Sequence, residues 1–172
     1  MLLRLAALDP SANVVYLARP CQYIDLSNER NCAYPNWTYK RFAEEVIASV
    51  NEAVGAIAKQ ANAKQIHLVG YSGGGAVAAL VAGRRGDIVS LRTLAGYLDH
   101  VALNRARKAD PLSGSLDPIG VAPRLAGLPQ IHYAGRRDEV IPSWVGSNFI
   151  RALGSNRCAS LEIVDATHHD GW

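Results

Sequence analysis

The chain has 172 residues, of which 49% are hydrophobic and 19% charged, and its formal net charge is +3. This composition is typical of a globular protein with a sizeable core, and the length predicts a single domain over residues 1–172. The mild charge, with no basic stripe interleaved with aromatic residues, argues against a nucleic-acid partner, and no apolar run reaches the ~18 residues of a membrane span.

The first part of the chain is predicted to contain a helix end, a strand and a loop. Residues 1–8 resemble the tail of an amphipathic helix. They are too short for a signal peptide and are not divided into its typical regions. Residues 13–18 follow a turn and are predicted to form a strand, and residues 19–36 are predicted to form a loop.

Two of the three cysteines, Cys21 and Cys32, lie in this loop and are able to bridge, which would leave Cys158 unpaired. The alternative is that all three are ordinary reduced cysteines. A bridge favours a periplasmic or secreted protein, and reduced cysteines favour a cytoplasmic one. The cysteine spacing does not match a metal site.

A long helix is predicted over residues 37–60, with Thr38 as its N-cap. Apolar residues recur along it at helical spacing, which predicts a stripe that faces the core. The residues of this stripe are Phe42, Ala43, Val46, Ile47, Val50, Val54 and Ile57.

The most informative stretch follows this helix. A short apolar strand is predicted over 65–70 and a helix of small apolar residues over 73–83, and the pattern Gly70-x-Ser72-x-Gly74 joins them. A serine at such a sharp turn lies on a strained backbone, and the pattern predicts that the glycines two residues before and after it leave room for strand and helix to pack.

A serine in this position is placed to act as a nucleophile. The hydroxyl of Ser72 would lie at the positive end of the following helix, and the N–H of Gly73 would point to where an oxyanion forms. The alternative is a glycine-rich turn whose serine has no chemical role.

The remainder of the chain alternates strands with helices, which predicts an α/β fold with a mostly parallel sheet of about five strands and crossover helices. The further predicted strands are 88–95, 130–134 and 160–165, the helix is 143–153, and the proline- and glycine-rich residues 97–129 contain a short helix near 121–125.

A serine hydroxyl is a weak nucleophile unless an imidazole takes its proton and a carboxylate orients that imidazole. In open parallel sheets such groups collect at the carboxyl ends of the strands. Asp138 lies just past one predicted strand, His168 and His169 lie just past the last, and Asp99 is the fallback acid. The other histidines, His67, His100 and His132, are predicted to be structural.

Three motifs occur in order along residues 66–172: Gly-Tyr-Ser-Gly-Gly around Ser72, G-x-x-D-x-V-I-P around Asp138, and a terminal H-x-x-G-W. Together they resemble the α/β-hydrolase family in its chain order of serine, acid and histidine. The resemblance implies Ser72 as nucleophile, Asp138 as acid and His168 as base. His168 is preferred because it stands four residues before the terminal tryptophan, and His169 is the alternative.

The resemblance also implies an activity. It is that of a serine hydrolase of carboxylesterase or lipase type, which acts on an ester or related acyl bond of a small-molecule substrate and needs no cofactor or metal. Gly73 and Tyr71 belong to the implied oxyanion and binding group. Residues 97–129 stand where the family inserts its lid or cap, and would shape the acyl pocket.

The sequence departs from the family pattern at both ends. The early strands, including the one that carries the second oxyanion donor, have no counterpart before residue 13, and the helix after the catalytic histidine is absent. Because successive right-handed crossovers put their helices on one face, the other face of the sheet is expected to lie open. We therefore expect either a fragment of a longer chain or a homo-oligomer that covers this face. The alternative function is a non-catalytic binding or assembly module that has lost its oxyanion loop.

Overall fold

The computed structural model describes residues 2–21, 23, 32–155 and 157–172. The strands of these residues are β1 (Ile66–Tyr71), β2 (Ile88–Leu94), β3 (Gln130–Gly135) and β4 (Ala159–Val164). The α-helices are α1 (Leu2–Leu8), α2 (Glu44–Gln60), α3 (Gly73–Ala82), α4 (His100–Ala106) and α5 (Ser143–Ala152), and two 3-10 helices cover Tyr34–Trp37 and Pro118–Leu125. The strands form one parallel sheet in the order β1-β2-β3-β4, which confirms the predicted α/β class.

The predicted strand at residues 13–18 is wrong, and the described residues form a sheet of four strands rather than about five. A segment with strand propensity becomes a strand only where a neighbour satisfies its backbone N–H and C=O groups. Among the described residues β1 pairs only with β2, and the segment 13–18 lies outside the sheet with Val15 55% exposed. The backbone of this segment therefore has no strand partner in the part of the chain that the structure describes.

The predicted loop at residues 19–36 is described only at its ends. Cys21 and Cys32 form a disulfide with a Cα–Cα distance of 5.6 Å, and Cys158 is free and exposed. Of the two alternatives that the sequence left open, the structure has the bridged one. Gln22 and residues 24–31 of this prediction lie outside the described residues.

Helix α2 begins at Glu44, seven residues later than predicted, and Thr38 is not its N-cap. The Thr38 hydroxyl instead donates to the carbonyl of Tyr34, in the turn that follows the first 3-10 helix. Ala43 is the N-cap residue, and Glu44 and Glu45 place negative charge in the first turn, where the helix dipole favours it. The predicted core-facing stripe is confirmed in its first half, where the buried residues are Phe42, Ala43, Val46, Ile47 and Val50.

The helices α3 and α5 cover one face of the sheet, and among the described residues the other face is partly exposed to solvent. Leu91 of β2 packs in one core cluster with Ala79 of α3 and Phe149 of α5. Residues paired in parallel register share a face, and the opposite face carries exposed side chains. These exposed residues are His67, Val69, Arg92, Ser160 and Glu162.

His132 lies on the face of the sheet that the helices cover. It pairs in register with Thr93, and its imidazole is 1% exposed against the ring of Phe149 at a centroid distance of 5.1 Å. Its Nδ1 is 2.8 Å from the Thr93 hydroxyl and its Nε2 is 3.2 Å from Oε1 of Gln130. With the proton on Nε2, both ring nitrogens are satisfied, so the predicted structural role fits.

Residues 97–129 contain more structure than was predicted. Helix α4 was missed, and Asp99 caps it by accepting a hydrogen bond from the N–H of Ala102. The carboxylate of Asp117 accepts from the N–H groups of His100 and Val101 at the same end. The expected short helix near 121–125 is part of the 3-10 helix Pro118–Leu125. None of the helices in the described ranges is both long and apolar enough to cross a bilayer.

Candidate active site

The turn between β1 and α3 holds Ser72 in a strained backbone conformation. Its φ is +52° and its ψ is −122°, outside the regions that residues other than glycine prefer. The strain is held by the surroundings, because the Ser72 N–H donates to Leu94 of β2 and its carbonyl accepts from the N–H groups of Gly75 and Tyr97. The half-buried side chain thus stands at the carboxyl end of the sheet and at the start of α3.

The glycines around Ser72 show where the strand and the helix approach most closely. A Cβ at Gly70 would lie 2.4 Å from the carbonyl oxygen of Gly74, so glycine is required there. A Cβ at Gly74 would meet nothing within 4 Å, whereas one at Gly75 would lie 2.8 Å from Cα of Gly96. The expectation that both glycines of the Gly-x-Ser-x-Gly pattern make room is therefore right for Gly70 and wrong for Gly74. The second tight position is Gly75.

Asp138 is placed by the loop after β3. Its side chain is 0% exposed, and its Oδ1 accepts the N–H groups of Val140 at 2.8 Å and Ile141 at 2.7 Å. Glycine is needed at the end of β3, because a Cβ at Gly135 would lie 2.5 Å from the carbonyl oxygen of Ala166. The loop and the chain after β4 thus come into backbone contact, and Oδ2 of Asp138 is left to face that chain.

His168 stands between the acid and the serine. Its Nδ1 lies 2.9 Å from Oδ2 of Asp138, and its Nε2 lies 3.1 Å from Oγ of Ser72. An ionised carboxylate only accepts hydrogen bonds, so Nδ1–H donates to Asp138 and Nε2 is left to accept from the Ser72 hydroxyl. The structure therefore brings all three sequence-predicted residues into one hydrogen-bonded chain.

The alternative acid and base lie elsewhere. His169 is exposed, and its ring stands edge-on to that of His168 at a centroid distance of 5.0 Å. Asp99 caps α4 with one oxygen and accepts from the Asn148 amide with the other, at 2.8 Å. His100 is buried beside Phe42 and donates from Nε2 to the carbonyl of Leu116.

The two residues predicted beside the serine have different surroundings. Gly73 is the first residue of α3, so its N–H has no partner inside the helix. The ring of Phe42 packs beside it, 3.5 Å from where a Cβ of Gly73 would lie. The hydroxyl of Tyr71 donates to the main-chain carbonyl of His168 at 2.6 Å, so it contacts the chain that carries the imidazole.

Sequence reasoning missed Trp172 as a member of this site. Its Nε1–H donates to the same carbonyl of His168 at 3.1 Å. The turn is closed by Gly171, whose φ of +92° favours glycine, and by the hydrogen bond from Thr167 N–H to the carbonyl of Asp170. The glycine just before the final tryptophan was the available signal, because it marks a chain reversal.

Several solved structures have a fold similar to that of this chain. A puromycin hydrolase matches with a TM-score of 0.64 at 19% identity, over 80% of this chain and 24% of its own. An esterase of Pyrococcus furiosus matches with a TM-score of 0.58 at 16% identity, over 73% of this chain and 54% of its own. The acylaminoacyl peptidase of Pyrococcus horikoshii matches with a TM-score of 0.60 at 13% identity, over 76% of this chain and 24% of its own.

At these identities the likeness shows the fold, which is part of an α/β-hydrolase fold as the motifs indicated. The chain spans between about a quarter and about half of the length of the three structures. The sequence matches no protein-family model, and no curated protein is significantly similar to it.

Proposed function

We propose that this chain is a serine hydrolase that cleaves an ester or a related acyl bond with Ser72, His168 and Asp138. The observation that carries the proposal is the continuous hydrogen-bonded chain from Oδ2 of Asp138 through the imidazole to Oγ of Ser72, with links of 2.9 and 3.1 Å. A nucleophile, a base and an orienting acid in this arrangement are the parts that acyl transfer needs. The solved structures of similar fold are named as hydrolases, which agrees with it.

The proposed reaction begins at Ser72. His168 Nε2 takes the hydroxyl proton while Oγ attacks the acyl carbon, and the carboxylate of Asp138 stabilises the imidazolium that forms. The N–H of Gly73, at the positive end of the ten-residue helix α3, stabilises the oxyanion. The imidazolium then protonates the leaving alcohol, and water releases the acyl group from Ser72 by the same steps in reverse order.

The substrate in this proposal is a small carboxylic ester, as for carboxylesterases and lipases. The segment 97–129 lies beside the serine, because the N–H of Tyr97 donates to the carbonyl of Ser72 at 3.0 Å. The same residue packs edge-on to Phe42, with ring centroids 6.0 Å apart. We propose that this segment forms the lid or cap and shapes the acyl pocket. The names of the similar structures include an esterase and a peptidase, so amide substrates belong in the first screen.

The second candidate is a non-catalytic binding or assembly module, which the open face of the sheet favours. Val69 is 41% exposed in the middle of β1, although parallel sheets are normally covered on both faces. A second copy of this chain over the face would bury it. This candidate requires an oligomer in light scattering and no hydrolysis of activated esters by wild type.

Steady-state hydrolysis of p-nitrophenyl esters of increasing acyl length separates the two candidates. We expect turnover by wild type and none above background by Ser72→Ala. Ser160→Ala, which alters an exposed serine on β4, is the matched control and should retain full activity. Equal rates for wild type and Ser72→Ala would contradict the hydrolase proposal.

The disulfide bears on where the protein works. A Cys21–Cys32 bridge persists in oxidising compartments and is reduced in most cytosols. We therefore propose a periplasmic or secreted location. Alkylation of the protein as isolated from its native cells, followed by mass mapping, should find Cys158 alkylated and the other two bridged, and finding all three alkylated would contradict this location.

A further inference from the structure

The main-chain carbonyl of His168 accepts two side-chain hydrogen bonds from different parts of the chain. Tyr71 donates its hydroxyl at 2.6 Å, and Trp172 donates its indole N–H at 3.1 Å. The ring of Tyr71 also packs against the His168 imidazole, with centroids 5.2 Å apart and planes inclined by 34°. The carbonyl oxygen of His168 thus accepts hydrogen bonds from two side chains.

The first donor ties the base to the nucleophile. Tyr71 is the last residue of β1 and directly precedes Ser72, so its ring leaves the same strand end that carries the serine. Its bond to His168 spans 97 positions of sequence. A shift of the His168 backbone away from the serine would stretch this bond.

The second donor ties the base to its own segment. Trp172 stands four residues after His168 and returns to it through the left-handed backbone of Gly171. A Cβ at Gly171 would lie 2.8 Å from the carbonyl oxygen of Asp165, so the segment folds tightly back onto the end of β4. The indole also packs against the main core cluster, which fixes the position of this donor.

The base needs such support because no helix or strand carries it. Strand β4 ends at Val164, and the described residues after it form bends and turns. The bond to Asp138 orients the imidazole through Nδ1 but leaves the main chain of His168 free to move. An error of about 1 Å between a base and its nucleophile is enough to cost a large part of the rate.

We propose that Tyr71 and Trp172 are positioning residues that hold the backbone of His168 so that Nε2 stays within hydrogen-bond distance of Oγ of Ser72. Both side chains donate their hydrogen bonds to the main-chain carbonyl of His168 and not to its Nε2. The inference rests on the proposed hydrolase function, and it assigns the Tyr71 hydroxyl to His168 instead of to an oxyanion, because its proton lies in the bond to that carbonyl.

The kinetic test uses Tyr71→Phe and Trp172→Phe, which remove one donor each, and the double variant. Since a net hydrogen bond contributes about 0.5–1.5 kcal/mol, each single variant should lose about twofold to thirteenfold in kcat, and the double at least the product of the two. KM should stay within about twofold, because both of the donors removed are bonded to the carbonyl of His168. The controls are Tyr34→Phe, at a residue 75% exposed, and Trp144→Phe, which removes a similar indole volume from α5.

A second readout does not depend on turnover. The Nδ1 proton of His168 lies in the bond to Asp138 and should give a downfield resonance, identified by its absence in His168→Ala. If the hydrogen bonds from Tyr71 and Trp172 hold the imidazole, solvent exchange of this proton should be at least tenfold faster in the double variant than in wild type, at a temperature well below the unfolding transition of both proteins. Exchange and kcat equal to wild type would overturn the inference. A wild-type protein that turns over no ester would overturn the proposed function. The exchange rate of the Nδ1 proton would still show whether Tyr71 and Trp172 hold His168.

Discussion

Gly135 and Ala166 touch through their backbones: a Cβ on Gly135 would lie 2.5 Å from the carbonyl oxygen of Ala166. Gly135 is the last residue of β3 and Ala166 lies two residues after the end of β4, just before Asp138 and His168 respectively. Two further backbone bonds join the segments, from Arg136 N–H to the Val164 carbonyl and from Arg137 N–H to the Ala166 carbonyl. The acid and the base are therefore brought together by main-chain contact, which a single methyl group would disturb.

The first prediction concerns this contact. Gly135→Ala should push the two segments apart, lower the free energy of unfolding by about 1–3 kcal/mol and reduce kcat more than KM. Gly127→Ala is the control, because a Cβ there meets nothing within 4 Å. Urea unfolding and ester kinetics of both variants check this, and equal behaviour of the two would contradict the assigned role of Gly135.

The second prediction compares two adjacent glycines of α3. Gly75→Ala should displace the helix from the turn at Gly96 and lower both stability and turnover, since its Cβ would lie 2.8 Å from Cα of Gly96. Gly74→Ala adds a Cβ in open space and replaces glycine by a better helix former, so stability should be unchanged or slightly higher. Melting temperatures and kcat of the pair test this. A more damaging change at Gly74 than at Gly75 would contradict the close approach of Gly75 to Gly96.

The third prediction separates the neighbouring histidines. His168→Ala should lower the rate of ester hydrolysis by about a thousandfold or more, because Ser72 loses its base. His169→Ala should change it by less than about threefold, since His169 is exposed and contacts His168 only ring to ring. A larger loss for His169→Ala than for His168→Ala, measured with the same ester, would show that His169 and not His168 is the base.

The fourth prediction is a pH dependence of stability that does not involve the proposed catalytic residues. Burial lowers the pKa of His132 from 6.5 to about 4 in the folded protein. Between these values the unfolded chain binds a proton that the folded chain does not, so stability should fall as the pH drops from 6.5 and level off below 4. The full loss is on the order of 3 kcal/mol.

Urea unfolding at pH 7 and pH 4.5 measures this effect. In His132→Asn the difference in unfolding free energy between the two pH values should shrink by most of that amount, whatever the absolute stability of the variant. His169→Asn, at an exposed site, should keep the wild-type difference. An undiminished difference in His132→Asn would show that other groups cause the acid sensitivity.

Much of the site could be predicted from the sequence, because its parts are local. A serine between a short apolar strand and a helix of small residues is expected at a sharp strand-to-helix turn. An acid or a histidine just past a strand lies at the same edge of the sheet wherever the strands are parallel. The strand ends offer Asp138, His168 and His169 as candidates, and the resemblance to the α/β-hydrolase family selects Asp138 and His168. The structure brings the side chains of both into one hydrogen-bonded chain with Ser72.

What could not be predicted depends on contacts between distant segments. Gly75 is restricted by Gly96, which approaches it only once β2 lies beside β1. The segment 13–18 has the composition of a strand, but the ladder that would make it one ends at β1. The second carboxylate at the start of helix α4, that of Asp117, is 17 positions from His100 in sequence. Trp172 is a hydrogen-bond donor only because Gly171 turns the chain back.

The most direct test of the account is to identify the residue that a fluorophosphonate probe modifies. Mass spectrometry of digested wild-type protein should find the adduct on Ser72, and labelling should disappear in Ser72→Ala and fall strongly in His168→Ala. Absence of an adduct from Ser72 in folded wild-type protein, or equal labelling of wild type and Ser72→Ala, would contradict the claim that the imidazole of His168 activates this hydroxyl.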